Sequence, residues 1–270
     1  MIMVTNSIQT LAANALKERN PDQKAALTQA LWVQWQDAKL EISDNAIEHI
    51  ECAGLPSGLV LVPPDQVPRR RLGSVQGCAA MLHAVAHIEF NAINLALDVV
   101  CRFPGMPTAF YNDWLRVAKE EAEHFLLVRT RLRELGFDYG DFPAHNGLWE
   151  MARKTTHDLL ARMAMVPRML EARGLDVTPG LQARLLAAGE QQGAALLDII
   201  FRDEVGHVTV GNHWFRWLCK ERGLDPVDTF RAMLPQFDAP RHKGEMNKEA
   251  RSKAGFTEEE MLVLTEYANT

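Results

Sequence analysis

The stretch 119-KEEAEHF-125 sets three carboxylates and a histidine into a run of apolar residues spaced as on an amphipathic helix. Residues three or four apart share a helix face, so a side chain's direction is read from its neighbours at those offsets. For Glu121 these are Val117, Ala118, His124 and Phe125, with Trp114, Val128, Leu132 and Leu135 continuing the stripe. Glu121 is therefore expected to point inward. Glu120 and Glu123 sit among Arg116, Lys119, Leu127 and Arg131 and read as the solvated side. His124 lies one turn beyond Glu121, which makes a Glu-x-x-His pair.

The pattern recurs at 204-EVGH-207, where Glu204 is flanked by Leu197, Ile200, Phe201, Val208 and Gly211 and His207 follows one turn on. Glu89 lies among Leu82, Val85, Ala86, Ala92, Ile93 and Ala96, again an inward address. Glu171 continues Leu160, Ala164 and Pro167 but stands near Gly174, so its direction is left open. Burying an unpartnered carboxylate costs several kcal/mol or more, on the order of the desolvation of an ion, so a set of them requires cations. No matching set of inward Lys or Arg is evident from the periodicity. A single Glu-x-x-His is ordinarily a surface pair or a satisfied core histidine. Two of them on apolar faces, with a Glu on each of two further helices, form the ligand arrangement of carboxylate-bridged di-iron and di-manganese bundles. Carboxylates can bridge two metals and offset their charge, while neutral imidazoles leave positions for oxygen or substrate.

Other polar residues fit humbler roles. His83 and His87 share a more polar face with Asn91 and Asn94 and read as hydrogen-bonding residues. His157 and Asp158 are alternatives to Glu171. Glu190 is read as supporting the site or exposed at a bend, His213 as packing beside Trp214 and Trp217, and Met163, Met165 and Met169 as core filling.

Around these motifs helical periodicity dominates, with no convincing strand. A first helix is expected over 6–18. A second follows Asn20, with Asn20 as cap, Pro21 at the first position and Gln23 returning a bond. The Pro- and Gly-rich segment from Ala53 to Gly73 reads as a wrapping loop or linker. Four long patterns follow, about 75–102, 108–135, 147–173 and 179–221. They are marked by FPGMPT, Gly136, Gly174 and Thr178–Pro179, with Gly189 and Gly193 as points where the fourth would break. A last helix starts at Thr257 with Glu260 completing a capping box. The organisation expected is a helical extension and loop over 1–73, a four-helix bundle over 74–222, and a tail with short helices packed on the bundle over 223–270.

The formal charge of -6 argues against general affinity for nucleic acid or anionic membranes, the runs Arg69–Arg71 and Arg241–Lys243 being read as solvated. Four scattered cysteines form no zinc or disulfide framework. Lys17, Glu18 and Arg19 interrupt the N-terminus before a signal core forms, and no stretch reaches the ~20 uncharged apolar residues of a span. A cytoplasmic, membrane-free protein is expected, as monomer or homodimer.

The segments MLHAVAHIEFNAINLALD, WLRVAKEEAEHFLLVRTRLRELG, MVPRMLEARGLD and DIIFRDEVGHV resemble a bacterial ferritin-like family known only as a domain of unknown function, itself distantly similar to di-iron hydroxylases that modify a tRNA base. The resemblance covers about residues 75–225. It implies an all-α, ferritin-like four-helix bundle with Glu89, Glu121, His124, Glu171, Glu204 and His207 at the ligand positions. Glu121 and Glu204 would bridge the metals, and Glu89 and Glu171 would be terminal. The expected cofactors are two metal ions, iron first, with manganese or a mixed pair as alternatives, and dioxygen as co-substrate. The activity expected is an oxygen-dependent hydroxylase or monooxygenase of a small molecule or modified base, with the electron donor unspecified. The alternatives are ferroxidase or iron and manganese handling, or a non-catalytic scaffold stabilised by metal.

Overall fold

Short polar residues open most of the helices. Ser7, Asn20, Ser74, Asp158, Asp225, Asn247 and Thr257 each accept a backbone N–H of the following first turn through the side chain. The computed structural model describes residues 7–44, 50–68, 70–242 and 244–270; Asn6, Arg69 and Lys243, which figured in the sequence reading, lie outside them. Among the described residues the fold is all-α. Its only β-type pairings are isolated bridges, Ser7 with Glu41 and Leu61 with Ala144. The chain divides into two compact units, residues 1–149 and 150–270.

The first unit holds α1 (Ile8–Lys17), α2 (Pro21–Gln36), α3 (Val75–Arg102) and α4 (Thr108–Glu134), while α5 (Gly147–Lys154) spans the division. The α3–α4 pair is its centre, with α1 packed on α3 and α2 on α4. Phe90 meets Phe125 at 5.0 Å between ring centroids and fixes the register of the pair. α3 is apolar and long enough to cross a membrane by length and composition, closer to that limit than the sequence reading allowed, yet 89% of its apolar window is buried within the protein, as in a core helix. The Pro/Gly-rich segment is a wrapping loop. Gly54 donates to Leu16 O at 2.8 Å, and Val62 N–H bonds Ala144 O. A Cβ at Gly54 would sit 2.2 Å from Glu18 O, so the close approach needs glycine. At the α2 cap, Asn20 behaves as expected, but Glu18 and not Gln23 accepts the cap's own N–H, at 2.7 Å.

The second unit departs further from the sequence reading. The expected 147–173 helix is α5, a turn at Thr155–His157, α6 (Leu159–Met165) and a π-helical segment, Val166–Glu171. The π segment runs directly into α7 (Ala172–Ala187), then come α8 (Gln191–Glu221), α9 (Pro226–Gln236), α10 (Lys248–Lys253) and α11 (Glu258–Ala268). Gly174 does not end a helix and Pro179 does not open one; both lie inside α7. Proline removes a donor and orphans the carbonyl four residues back. Here that carbonyl, Leu175 O, accepts from Asn247 Nδ2 at 3.2 Å, and the helix continues. The break comes at Gly189 (φ 80°), whereas Gly193 is within α8 and gives its N–H to the Glu190 side chain. The π segment lies against α8 so closely that a Cβ at Gly211 would be 2.3 Å from Pro167 Cβ. The capping box at Thr257 and Glu260 is present.

Candidate metal centre

In the first unit the α3–α4 register brings Glu89 opposite Glu121 and His124. All three are buried, and one donor atom from each lies within 4.8 Å of the others. His124 Nδ1 stands 3.3 Å from Glu89 Oε2 and 3.6 Å from Glu121 Oε2. Burial disfavours an imidazolium here, but the carboxylates of Glu121 and Glu89 outweigh it and raise His124 to about 11. A proton on His124 thus offsets one of the two carboxylate charges. Two buried carboxylates and an imidazole within one ion's reach form a mixed oxygen and nitrogen donor set suited to a first-row divalent cation, which would take the proton's place. The donor set fits a metal. Glu120 and Glu123 are half-exposed and pair at i, i+4 spacing with Arg116 and Lys119, as expected of the solvated side.

In the second unit Glu204 and His207 share a face of α8, His207 fully buried, with Nδ1 3.7 Å from Glu204 Oε1. Glu171 closes the π segment and is partly buried. A segment bonded i to i+5 does not follow the 3.6-residue period, which is why the sequence could not settle Glu171's direction.

The expectation of few inward cations is corrected. Lys24, Arg129, Arg162, Arg168 and Arg251 are all buried. Each has a partner of its own: Lys24 donates to Leu16 O and Asn94 Oδ1, Arg129 to Asp138 and Asp22, Arg162 to Thr155 Oγ1, Arg168 to Glu260 and Arg251 to Asp176. Long cationic side chains inside helical stripes look solvated in a sequence, and their acceptors are far along the chain. Burial, opposed by Glu18, lowers Lys24 to about 7.

His83 and His87 have the hydrogen-bonding role expected, but on a buried face. His83 Nε2 accepts the Gly140 N–H at 3.0 Å, and His87 Nδ1 meets Tyr139 Oη at 2.8 Å. Burial holds both histidines down near 4, hence neutral. Tyr139 also packs on Phe90 and Phe125, the chain neighbours of Glu89 and His124. It escaped the sequence reading because it lies in the loop after α4, where no periodicity assigns a face. His157 and Asp158 are not alternatives to Glu171: they fall in the break before α6, where His157 stacks on Phe237 and Asp158 caps the helix and pairs with Arg222 at 2.7 Å. Glu190 is the cap of α8, His213 is exposed beside Trp214, and Met163, Met165 and Met169 are core.

A protein-family model described as "Protein of unknown function (DUF455)" matches residues 17–262. The chain belongs to that family. An uncharacterized protein of Haemophilus influenzae is 47% identical over 267 residues, covering 95% of this chain and 93% of the relative. No solved structure matches. This DUF455 chain therefore carries a buried Glu/His group able to hold a metal on an all-α scaffold, and its family description attaches no reaction to that group.

Proposed function

We propose that Glu89, Glu121 and His124 of the first unit and Glu171, Glu204 and His207 of the second are the ligands of one dinuclear centre. In this reading α3, α4, the α6–π–α7 run and α8 form a ferritin-like four-helix arrangement, and the protein is an oxygen-dependent oxidoreductase acting on a small molecule. The observation that carries it is the buried Glu89, Glu121 and His124 group, with donor atoms within 4.8 Å of one another. Two buried acids beside one imidazole are a costly arrangement unless a cation is to be held there.

Two iron ions, or manganese in one or both places, would supply reductive activation of dioxygen at positions the protein leaves open. The residues supply the rest. Glu89 and Glu121 bring negative charge to a site already desolvated. His124 would hold the metal as a neutral donor, its imidazolium proton being released on uptake. Phe90 and Phe125 are fully buried and exclude water beside Glu89 and His124.

The test is metal analysis of the purified chain with the optical spectrum followed as the reduced iron form meets oxygen. Two ions per chain are expected, with both Glu121→Ala and Glu204→Ala losing metal. Retention in both variants sinks the site; loss only in Glu121→Ala sinks the joining of the two units. Many iron equivalents oxidised and retained per chain would make the protein a metal store instead.

A further inference from the structure

The outer face of α8 and the turn between α10 and α11 enclose an open groove of about 370 Å³, walled by His213, Arg216, Trp217 and Lys220 and floored at Gly255. The chain as a whole is acidic at -6, but no Asp or Glu lines this groove among the described residues. Its charge has a structural origin. Glu260 is buried and accepts from two guanidiniums, Arg168 Nη2 at 2.8 Å and Arg216 Nη2 at 2.5 Å. Two cations share one carboxylate, so one positive charge is left unbalanced. Arg168 is fully buried, while the Arg216 side chain is 34% exposed, so the surplus emerges at the groove.

Arg216 is also fixed in place. Its Nη2 is held by Gly255 O at 2.6 Å as well as by Glu260, which presents a rigid guanidinium and little rotamer entropy left to lose on binding. Gly255 has φ 92°, a left-handed backbone that favours glycine, and a Cβ there would be in ordinary contact with Arg216 Nη1 at 3.6 Å. Lys220 lies one turn further along α8, exposed, with no ion pair among the described residues. Trp217, packed edge-on against Trp214 at 5.6 Å, adds a rigid flat wall.

We propose that this groove is a binding site for a small oxyanion, a carboxylate or phosphate monoester, carried on a flat apolar body. The anion is held by Arg216 and Lys220 and the body lies against Trp217. A volume of about 370 Å³ accommodates an aromatic acid with room for substituents. The site stands on charge and shape alone and does not depend on the metal reading.

Isothermal titration of the full chain with phenyl phosphate, benzoate and inorganic phosphate tests it. Saturable one-to-one binding is expected for phenyl phosphate or benzoate, whichever oxyanion the groove prefers, with inorganic phosphate weaker for want of a ring. Affinity should fall as salt is raised. Lys220→Gln, an exposed change, should weaken binding about threefold, and Arg216→Lys, which keeps the charge toward Glu260 but loses the planar fork, about tenfold. Trp217→Leu should erase the advantage of the aromatic ligands. Unchanged affinity in both Lys220→Gln and Trp217→Leu places the anion elsewhere and overturns the site. So does the absence of saturable binding by all three probes up to roughly 10 mM, weaker than useful small-ligand affinities. Arg216→Lys is read only if its circular dichroism matches the parent; the Lys220 and Trp217 variants decide without it.

Discussion

In the first unit, Glu89 and the Glu121–His124 pair stand on two uninterrupted helices, α3 and α4. In the second, Glu171 ends a π segment wedged between two shorter helices, and only Glu204 and His207 have a regular helix beneath them. The two units also manage buried polarity differently. Both bury cations, but in different settings: in the first, Arg129 stands on the regular helix α4 and pairs with Asp138 and Asp22, whereas in the second Arg168 stands within the π segment, enclosed by the rings of Phe215, Phe230 and Phe256 and neutralised by Glu260. A regular helix pair can rely on repetitive apolar packing. An irregular segment needs specific long-range ties, and here they come from the C-terminal helix.

The largest effect should come from cutting such a tie. Glu260→Ala leaves Arg168 charged, fully buried and without its carboxylate, and also removes the return bond of the α11 capping box. A loss of about 3–5 kcal/mol is expected in urea unfolding, the usual cost of breaking one side of a buried pair. A loss under about 1 kcal/mol would mean that the tie behaves like a surface ion pair, and the contrast between the units would fall with it.

That contrast also explains what a sequence can reveal. The inward direction of Glu121, His124 and Glu89 was legible because α3 and α4 keep the 3.6-residue period from end to end and their apolar neighbours report one face. Glu204 and His207 were legible for the same reason. Glu171, the turn at Thr155–His157 and the passage through Gly174 and Pro179 were not. A π segment shifts the register, and whether proline ends a helix depends on a distant acceptor or donor, here Asn247. The Arg168–Glu260 pair spans 92 residues and has no local signal at all.

Acid should strike the first unit through a different mechanism. Burial, with the charge of His87 adding and Asp141 and Asp138 opposing, lowers His83 to about 4 from the usual 6.5. Between these values the unfolded chain holds a proton on His83 that the folded chain does not. Stability is therefore complete above about pH 6.5, falls as pH drops through the window and levels off below about 4, a loss of roughly 3 kcal/mol from this group. His83→Gln keeps an acceptor for the Gly140 N–H but cannot titrate, so its stability should decline less steeply over that window. Equal slopes for parent and variant would show that His83 is protonated in the folded protein.

The smallest effect has the sharpest sign. If Gly174 closed a helix, as its place in the sequence suggests, it would hold a left-handed backbone and alanine there would strain the chain. In the structure it lies inside α7, has no positive φ, and has open space where a Cβ would go. Alanine in a helix interior is favoured over glycine by about 1 kcal/mol, so Gly174→Ala should raise stability by up to about that amount. The measurement is the urea midpoint at constant m-value. Destabilisation would return the helix end to Gly174 and leave Pro179, with Asn247 bonded to Leu175 O, to be explained as the start of a new helix.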